Sequence, residues 1–208
     1  MKNIVVLVSG GGTNLQALID AQNRGEISNG KITCVISSNP NAYALTRAAN
    51  NGIETAVIRR RDFNEFSLYD EALTKLVQSK NADLVVLAGF MTILGKGFIS
   101  AYENKIINIH PALIPSFCGE GYYGLRVHEE ALKKGVKVTG ATAHFVNEIC
   151  DGGPIILQKA VEVKFGDTPE VLQKRVMEQA EWKILPRAVA LFCDDKIKVN
   201  GNITEILD

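Results

Sequence analysis

Residues 4–19, I-V-V-L-V-S-G-G-G-T-N-L-Q-A-L-I, decide the fold class of this 208-residue chain. The stretch begins with five apolar residues, which is typical of a strand buried on both faces of a sheet. A glycine-rich turn follows and leads into a helix that we predict to begin near Asn14. A strand, a glycine turn and a helix in this order predict an α/β fold built on a parallel sheet.

The same turn predicts an anion site, because a helix N-terminus behind glycines presents N–H groups and a positive dipole end. Leu15 stands where the dinucleotide fingerprint requires its third glycine, and the P-loop pattern of ATP-binding proteins is absent. We therefore favour the single phosphate of a small nucleotide, bound by Gly12, Thr13 and Asn14. The alternative is a tight turn without a ligand.

Apolar runs and helical periodicity extend this pattern along the whole chain. We predict an α/β, doubly wound, mostly parallel sheet with a Rossmann-like N-terminal half and an antiparallel extension, in a single domain spanning residues 1–208. The predicted strands cover residues 4–8, 32–36, 54–58, 83–91, 106–110, 138–146 and 155–163, followed by a hairpin that turns at Asn200-Gly201. The predicted helices cover residues 14 onwards, 42–50, 63–79, 127–134 and 168–192, the last kinked or split at Pro186.

Composition excludes several classes of protein. Formal net charge is zero and the pI is near 6.8, so a general nucleic-acid binder is not indicated. The four cysteines form no C-x-x-C pair, which argues against a zinc site or a disulfide framework and favours the cytoplasm. The first apolar run is too short to cross a membrane. The run Arg59-Arg60-Arg61 is interpreted as a solvated loop, with a phosphate or a glutamate tail as the alternative ligand.

Residues 106–115, I-I-N-I-H-P-A-L-I-P, supply the catalytic candidates. Asn108 and His110 are two residues apart on a predicted strand, so their side chains point the same way, and both can hold a developing oxyanion. Asp151 lies on the glycine-rich turn C-D-G-G-P. The structural alternatives are a hydrogen-bonded strand-end histidine and a turn aspartate. His144 is interpreted as structural, or at most as a neighbour of the site.

The predicted position of these candidates in the sheet strengthens them, because ligands of parallel sheets bind outside the carboxyl ends of the strands. The residue 10–14 loop, the residue 89–94 loop and the Asn108/His110 pair all fall on that predicted edge. Residues 115–125, rich in glycine and aromatics, predict a lid over the site. An ordinary surface loop is the alternative.

Together these stretches resemble the folate-dependent formyltransferases, and within them the phosphoribosylglycinamide formyltransferase branch. The resemblance is carried by S-G-G-G-T-N-L-Q-A-L from Ser9, V-V-L-A-G-F-M from Val85, I-N-I-H-P-A-L-I-P from Ile107 and H-F-V-N-E-I-C-D-G-G-P-I-I from His144. It implies an enzyme of purine biosynthesis that transfers the formyl group of 10-formyltetrahydrofolate to the amine of glycinamide ribonucleotide. No metal is implied.

The resemblance also implies the roles of individual residues. Asn108, His110 and Asp151 match the catalytic trio of the family. The ribonucleotide site is implied at Gly12, Thr13, Asn14 and Glu181. The folate pocket is implied at Phe66, Met91, Thr92, Ile93, Leu94, Asn108 and Asn147. In the implied mechanism Asn108 and protonated His110 stabilise the oxyanion, while Asp151 raises the pKa of His110 and takes the amine proton through a water.

The chain departs from the pattern of this family at several positions. Thr92 and Ala112 stand where arginine and serine are common, Trp182 replaces a frequent histidine, and the loop after Pro115 is longer than in many relatives. The alternatives are a methionyl-tRNA formyltransferase, expected to carry a basic C-terminal domain, a formyltetrahydrofolate hydrolase, expected to carry an N-terminal domain, and a non-catalytic nucleotide- or folate-binding module. The expected partners are the two small substrates, without nucleic acid or membrane, for a monomer or homodimer.

Overall fold

The computed structural model describes residues 1–207 and contains, within them, one sheet in the order β3-β2-β1-β4-β5-β6-β7-β9-β8. The strands are β1 (Lys2–Val8), β2 (Gly30–Ser37), β3 (Glu54–Val57), β4 (Leu84–Leu87), β5 (Ile106–His110), β6 (Val138–Phe145), β7 (Ile155–Glu162), β8 (Ile197–Asn200) and β9 (Ile203–Ile206). The helices are α1 (Thr13–Asn23), α2 (Tyr43–Asn50), α3 (Phe66–Gln78), α4 (Lys96–Ala101), α5 (Leu125–Lys134), α6 (Pro169–Val176) and α7 (Trp182–Cys193).

Strand directions confirm the predicted fold class. Strands β3, β2, β1, β4 and β5 are parallel to one another, while β6 runs antiparallel to β5 and β7 antiparallel to β6. The C-terminal hairpin β8–β9 joins the edge of β7 through the single pair Ile155 and Ile203. The N-terminal half is thus Rossmann-like, and the C-terminal half is its antiparallel extension.

Two apolar clusters sit on opposite faces of the sheet, because successive residues of a strand point to opposite sides. On β1, Ile4 and Val6 belong to the cluster packed by α1 and α7, whereas Val5 and Leu7 belong to the cluster packed by α3 and α4. All four side chains are fully buried. Helices therefore cover both faces, which leaves the strand ends as the open edge where a ligand can enter.

Three predicted boundaries were wrong. The helix predicted from residue 63 begins at Phe66, after a short 3₁₀ turn over Arg60–Asp62. The fourth strand ends at Leu87, because positive φ at Gly89 turns the chain away from the sheet. The long last helix is interrupted by a π turn at Met177–Glu181 and not at Pro186, which lies inside α7. A π turn breaks the regular hydrogen-bond pattern of a helix as effectively as proline does.

None of the helices in residues 1–207 is long and apolar enough to cross a membrane.

Candidate active site

The pairing of β5 with β6 builds the centre of the site. Asn108 lies opposite His144, and His110 lies opposite Thr142. The amide Nδ2 of Asn108 is 3.2 Å from Nε2 of His144, while Nδ1 of His144 donates to the Phe145 carbonyl at 2.7 Å. With that tautomer, Nε2 of His144 accepts one N–H of Asn108. The second N–H of the same amide is left for a substrate oxygen.

Asp151 joins both histidines. Its Oδ2 is 3.4 Å from Nδ1 of His110, and its Oδ1 is 3.6 Å from Nε2 of His144. His110 and His144 are buried, as is most of the Asp151 side chain. The predicted trio is therefore brought together. His144, which we had interpreted as structural or at most as a neighbour of the site, lies within the same polar cluster as the trio.

The turn that carries Asp151 is held in place locally. Asp151 itself has a left-handed backbone (φ 53°), which aspartate tolerates better than most residues. Asn147 spans the turn, accepting the Ile149 N–H at 3.0 Å and donating to the Gly152 carbonyl at 3.3 Å. A Cβ at Gly153 would lie 1.9 Å from the Phe145 carbonyl oxygen, so only glycine lets the turn approach the end of β6 this closely.

The loop after β5 reaches both catalytic candidates through its backbone. The carbonyl of Phe117 accepts the Nε2–H of His110 at 2.8 Å, and the N–H of Gly119 donates to Oδ2 of Asp151 at 2.9 Å. Thr142 anchors the start of this loop, donating to the Ala112 carbonyl and accepting the Ile114 N–H. These contacts hold residues 117–119 against His110 and Asp151.

Burial and neighbouring charges determine the protonation states of His110 and Asp151. Burial lowers the pKa of His110 below its ordinary 6.5, more than the Asp151 charge and the Phe117 carbonyl raise it. Burial alone would raise the pKa of Asp151, but the nearby His144 and His110 rings and the Gly119 N–H together hold it below its ordinary value. Asp151 raises the pKa of His110 as expected, but the expectation of a protonated His110 was wrong, because desolvation outweighs the nearby carboxylate. We take His110 as neutral and Asp151 as ionised at neutral pH.

The predicted phosphate loop has the geometry of an anion site. Gly12 caps α1 with a left-handed backbone (φ 73°), and the first helical bond runs from the Gln16 N–H to the Gly12 carbonyl. The preceding N–H groups of the first turn have no such acceptor. Arg47 on α2 lies beside the loop, with Nε donating to the Gly11 carbonyl at 2.8 Å. Arg47 was not among the predicted residues.

Glu181 meets the same loop from the π turn. Its carboxylate accepts the Asn14 amide at 2.7 Å across 167 positions of sequence, and burial raises its pKa to about 7. One N–H of the Asn14 side-chain amide is thus paired with Glu181. Thr13 contacts Met177 of the same π turn at 3.8 Å. The residues expected to bind the ribonucleotide are therefore neighbours.

The residues expected to line a folate pocket lie along the strand-end edge beside this centre. Phe66, Met91 and Ile93 are exposed large apolar side chains, 39%, 54% and 74% accessible, whereas Leu94 is buried. The N–H of Met91 donates to the Ser9 hydroxyl at 2.9 Å, which ties the segment to β1. An exposed apolar strip of this kind offers a surface to an aromatic ligand.

Comparison with known proteins settles the family. The family model described as formyl transferase matches residues 2–189. The chain belongs to the formyl transferase family. The phosphoribosylglycinamide formyltransferase of Haemophilus influenzae is 41% identical over 203 residues, covering 98% of this chain and 92% of that protein. This membership confirms the resemblance drawn from the four sequence stretches.

Solved structures agree on the fold. The crystal structure of glycinamide ribonucleotide transformylase 1 from Symbiobacterium toebii superposes with a TM-score of 0.94 at 41% identity, covering 100% of this chain and 95% of that one. A formyltetrahydrofolate deformylase from Pseudomonas syringae pv. tomato reaches a TM-score of 0.89 at 29% identity, with 66% of its chain covered. The fold is therefore shared by a transferase and a deformylase, so the choice between them depends on the site.

In residues 1–207, no three His, Cys, Asp or Glu side chains are grouped so as to hold a metal ion. Arg47 and the backbone groups of Phe117 and Gly119 were not predicted as site residues, and His144 was predicted at most as a neighbour of the site. Of these residues, only His144 could have been found from the sequence, because it is a polar residue on a strand predicted near Asn108 and His110. Its contact with Asn108 follows only once the pairing register of β5 and β6 is known.

Proposed function

We propose that this chain is a phosphoribosylglycinamide formyltransferase. It transfers the formyl group of 10-formyltetrahydrofolate to the amine of N1-(5-phospho-D-ribosyl)glycinamide, giving the N-formyl product and tetrahydrofolate in de novo purine biosynthesis. The similarity to the Haemophilus influenzae enzyme over nearly the full length of both chains supports this substrate pair. The free state of all four cysteines fits a cytoplasmic enzyme.

The observation that carries the proposal is the contact of Asp151 with both His110 and His144 next to the Asn108 amide. In the reaction the amine nitrogen bonds to the formyl carbon and the carbonyl electron pair moves onto oxygen. The free N–H of Asn108 stabilises that oxyanion. The intermediate then collapses, the bond from carbon to N10 of the folate breaks, and a proton is delivered to N10.

The proton lost by the amine is taken by the histidine–aspartate pair. Neutral His110 presents the unprotonated Nδ1 toward Asp151, and protonation there completes a hydrogen bond to the carboxylate. The pair thus gains stability on receiving the proton, which is the property that a general base requires. In the observed position of the loop Nε2 of His110 donates to Phe117, so we assign the oxyanion contact to Asn108 and not to His110.

Changing Asp151 tests this mechanism. We expect Asp151→Asn to lower kcat about 100-fold or more, the usual range for losing general acid–base catalysis. Because the carboxylate raises the pKa of His110, its loss moves the acid limb of the kcat/KM profile to lower pH. Asp20→Asn, an exposed carboxylate at the far end of α1, serves as the matched control. An unchanged rate, or an acid limb moved to higher pH, would contradict the assigned roles.

A second candidate is a formyltetrahydrofolate hydrolase, in which water takes the place of the amine. The structural similarity to the Pseudomonas syringae deformylase favours it. The glycine loop at the N-terminus of α1 favours the transferase, because a hydrolase that acts on folate and water has no ribonucleotide phosphate to bind.

A further inference from the structure

A second feature of the strand-end edge is not used by the mechanism. A cavity of about 280 Å³ lies between the segments that follow β2 and β3. It is lined by three arginines, Arg59, Arg60 and Arg61, together with Ser38, Asn39, Pro40 and Thr92. Among the described residues no carboxylate lines it. The lining thus offers positive charge and hydrogen-bond donors, which is the chemistry of an anion site.

The three guanidinium groups are only partly satisfied by the protein. Arg59 pairs with Asp62 at 2.7 Å, and Arg60 donates to the Phe63 carbonyl at 2.6 Å. Arg61 is exposed and forms no ion pair within residues 1–207. Asp62 is the only carboxylate among residues 1–207 that pairs with these arginines, so two positive charges are left uncompensated. Guanidinium groups suit carboxylates or phosphates.

The cavity adjoins the residues expected to line the folate pocket. Thr92 belongs to both, and the Arg60 guanidinium lies over the Phe66 ring, 5.7 Å from its centroid. The hydroxyl of Ser38 is 2.7 Å from that of Ser9, which in turn accepts the Met91 N–H. A ligand that lies along Met91 and Thr92 is therefore beside the arginine cavity.

The distance from His110 to the arginine cavity indicates which part of a bound folate would lie in the cavity. The order β3-β2-β1-β4-β5 puts three or four strand spacings between His110 and the cavity, roughly 14–19 Å. The formyl-bearing nitrogen must lie near His110. The aminobenzoyl group and the first glutamate of the folate come next along the edge. The groups farthest from the formyl carbon are any further glutamates joined to the first one.

We propose that the Arg59–Arg61 cavity binds the γ-linked glutamates that follow the first glutamate of a polyglutamylated folate donor. The inference rests on the proposed function, because it assumes a folate in the adjoining pocket. Each added glutamate brings one carboxylate, and the cavity presents guanidinium groups without a competing acid. The arginine run was expected to form a solvated loop. The cavity and its connection to Thr92 now favour a ligand.

The phosphate of the ribonucleotide is the other anion in the reaction, and the same arginine chemistry suits it. The experiment therefore measures equilibrium binding of tetrahydrofolate with one or five γ-linked glutamates, and of glycinamide ribonucleotide, by calorimetry without turnover. The variants are Arg60→Ala/Arg61→Ala and the charge-preserving Arg60→Lys/Arg61→Lys. Lys31→Ala, an exposed cation at the opposite end of β2, is the matched control.

The natural chain is expected to bind the five-glutamate form about tenfold more tightly than the one-glutamate form, with the difference shrinking at high salt. The double alanine variant loses this difference, while the lysine variant and Lys31→Ala keep most of it. Equal affinity of the natural chain for both folates overturns this inference alone. Weaker ribonucleotide binding in the alanine variant, with the folate preference intact, assigns the cavity to phosphate and also overturns it. A natural chain that binds neither folate overturns the proposed function as well.

Discussion

At the scale of single residues, burial decides how the titratable groups of the site behave. His110 and Glu181 are both buried, and in each case desolvation is the largest cause of the pKa shift, toward the neutral form. Asp151 is the exception, because the two neighbouring histidine rings and the Gly119 N–H compensate for its burial. The residue types and approximate roles were predictable from sequence. The protonation state of His110 was not, because it depends on how deeply the folded chain buries the ring.

Glu181 gives a prediction about stability. Burial raises its pKa from 4.5 to about 7, so the folded chain holds an extra proton between these values and the free energy of unfolding falls as pH rises through this window. Glu181→Gln cannot ionise and keeps the acceptor for Asn14. Between pH 4.5 and pH 8 the unfolding free energy of the natural chain should therefore fall by up to about 3 kcal/mol more than that of Glu181→Gln.

Urea unfolding at several pH values measures this difference. Glu178→Gln, on the exposed side of the same π turn, is the matched control and should follow the natural chain. Parallel pH profiles for the natural chain and Glu181→Gln would mean that Glu181 is not held neutral by burial.

At the scale of elements, the glycine loop and the turns around it show which local structures a sequence encodes. The strand–glycine–helix order at residues 4–19 predicted β1 and α1 closely, because periodicity and glycine placement are local signals. The π turn at Met177–Glu181 carries no such signal. It places Glu181 against Asn14, and that contact exists only after α1 and α7 have packed on the sheet.

The loop offers a matched pair of substitutions. Gly12 has a left-handed backbone, and a Cβ there would lie 2.6 Å from the Cβ of Ala44, whereas a Cβ at Gly11 meets nothing within 4 Å. We expect Gly12→Ala to cost about 2 kcal/mol of stability or more and to raise the KM for the ribonucleotide. Gly11→Ala should change stability by less than about 0.5 kcal/mol. Chemical denaturation of both variants measures this, and equal losses of stability would show that the close approach of α2 is not what requires glycine.

At the scale of the whole molecule, the sheet order explains why distant stretches form one site. Parallel strands β1, β4 and β5 end at the same edge, and β6 returns antiparallel beside β5. The sequence predicted this edge and the convergence of the 10–14 loop with Asn108 and His110. It did not predict the His144 contact, because the β5–β6 register is set by pairing across the sheet and not by any local pattern. The composition of residues 115–125 predicted a loop over the site, but the particular contacts of Phe117 with His110 and of Gly119 with Asp151 were beyond local signals.

The central claim is that this edge brings a ribonucleotide amine and a formyl donor together for direct transfer. The most direct test follows consumption of 10-formyltetrahydrofolate by the natural chain with and without glycinamide ribonucleotide, while free formate and N-formyl product are both measured. We predict that consumption requires the ribonucleotide and yields one N-formyl product per donor consumed. Release of formate at a comparable rate without the ribonucleotide would contradict the claim and assign the chain to the hydrolases.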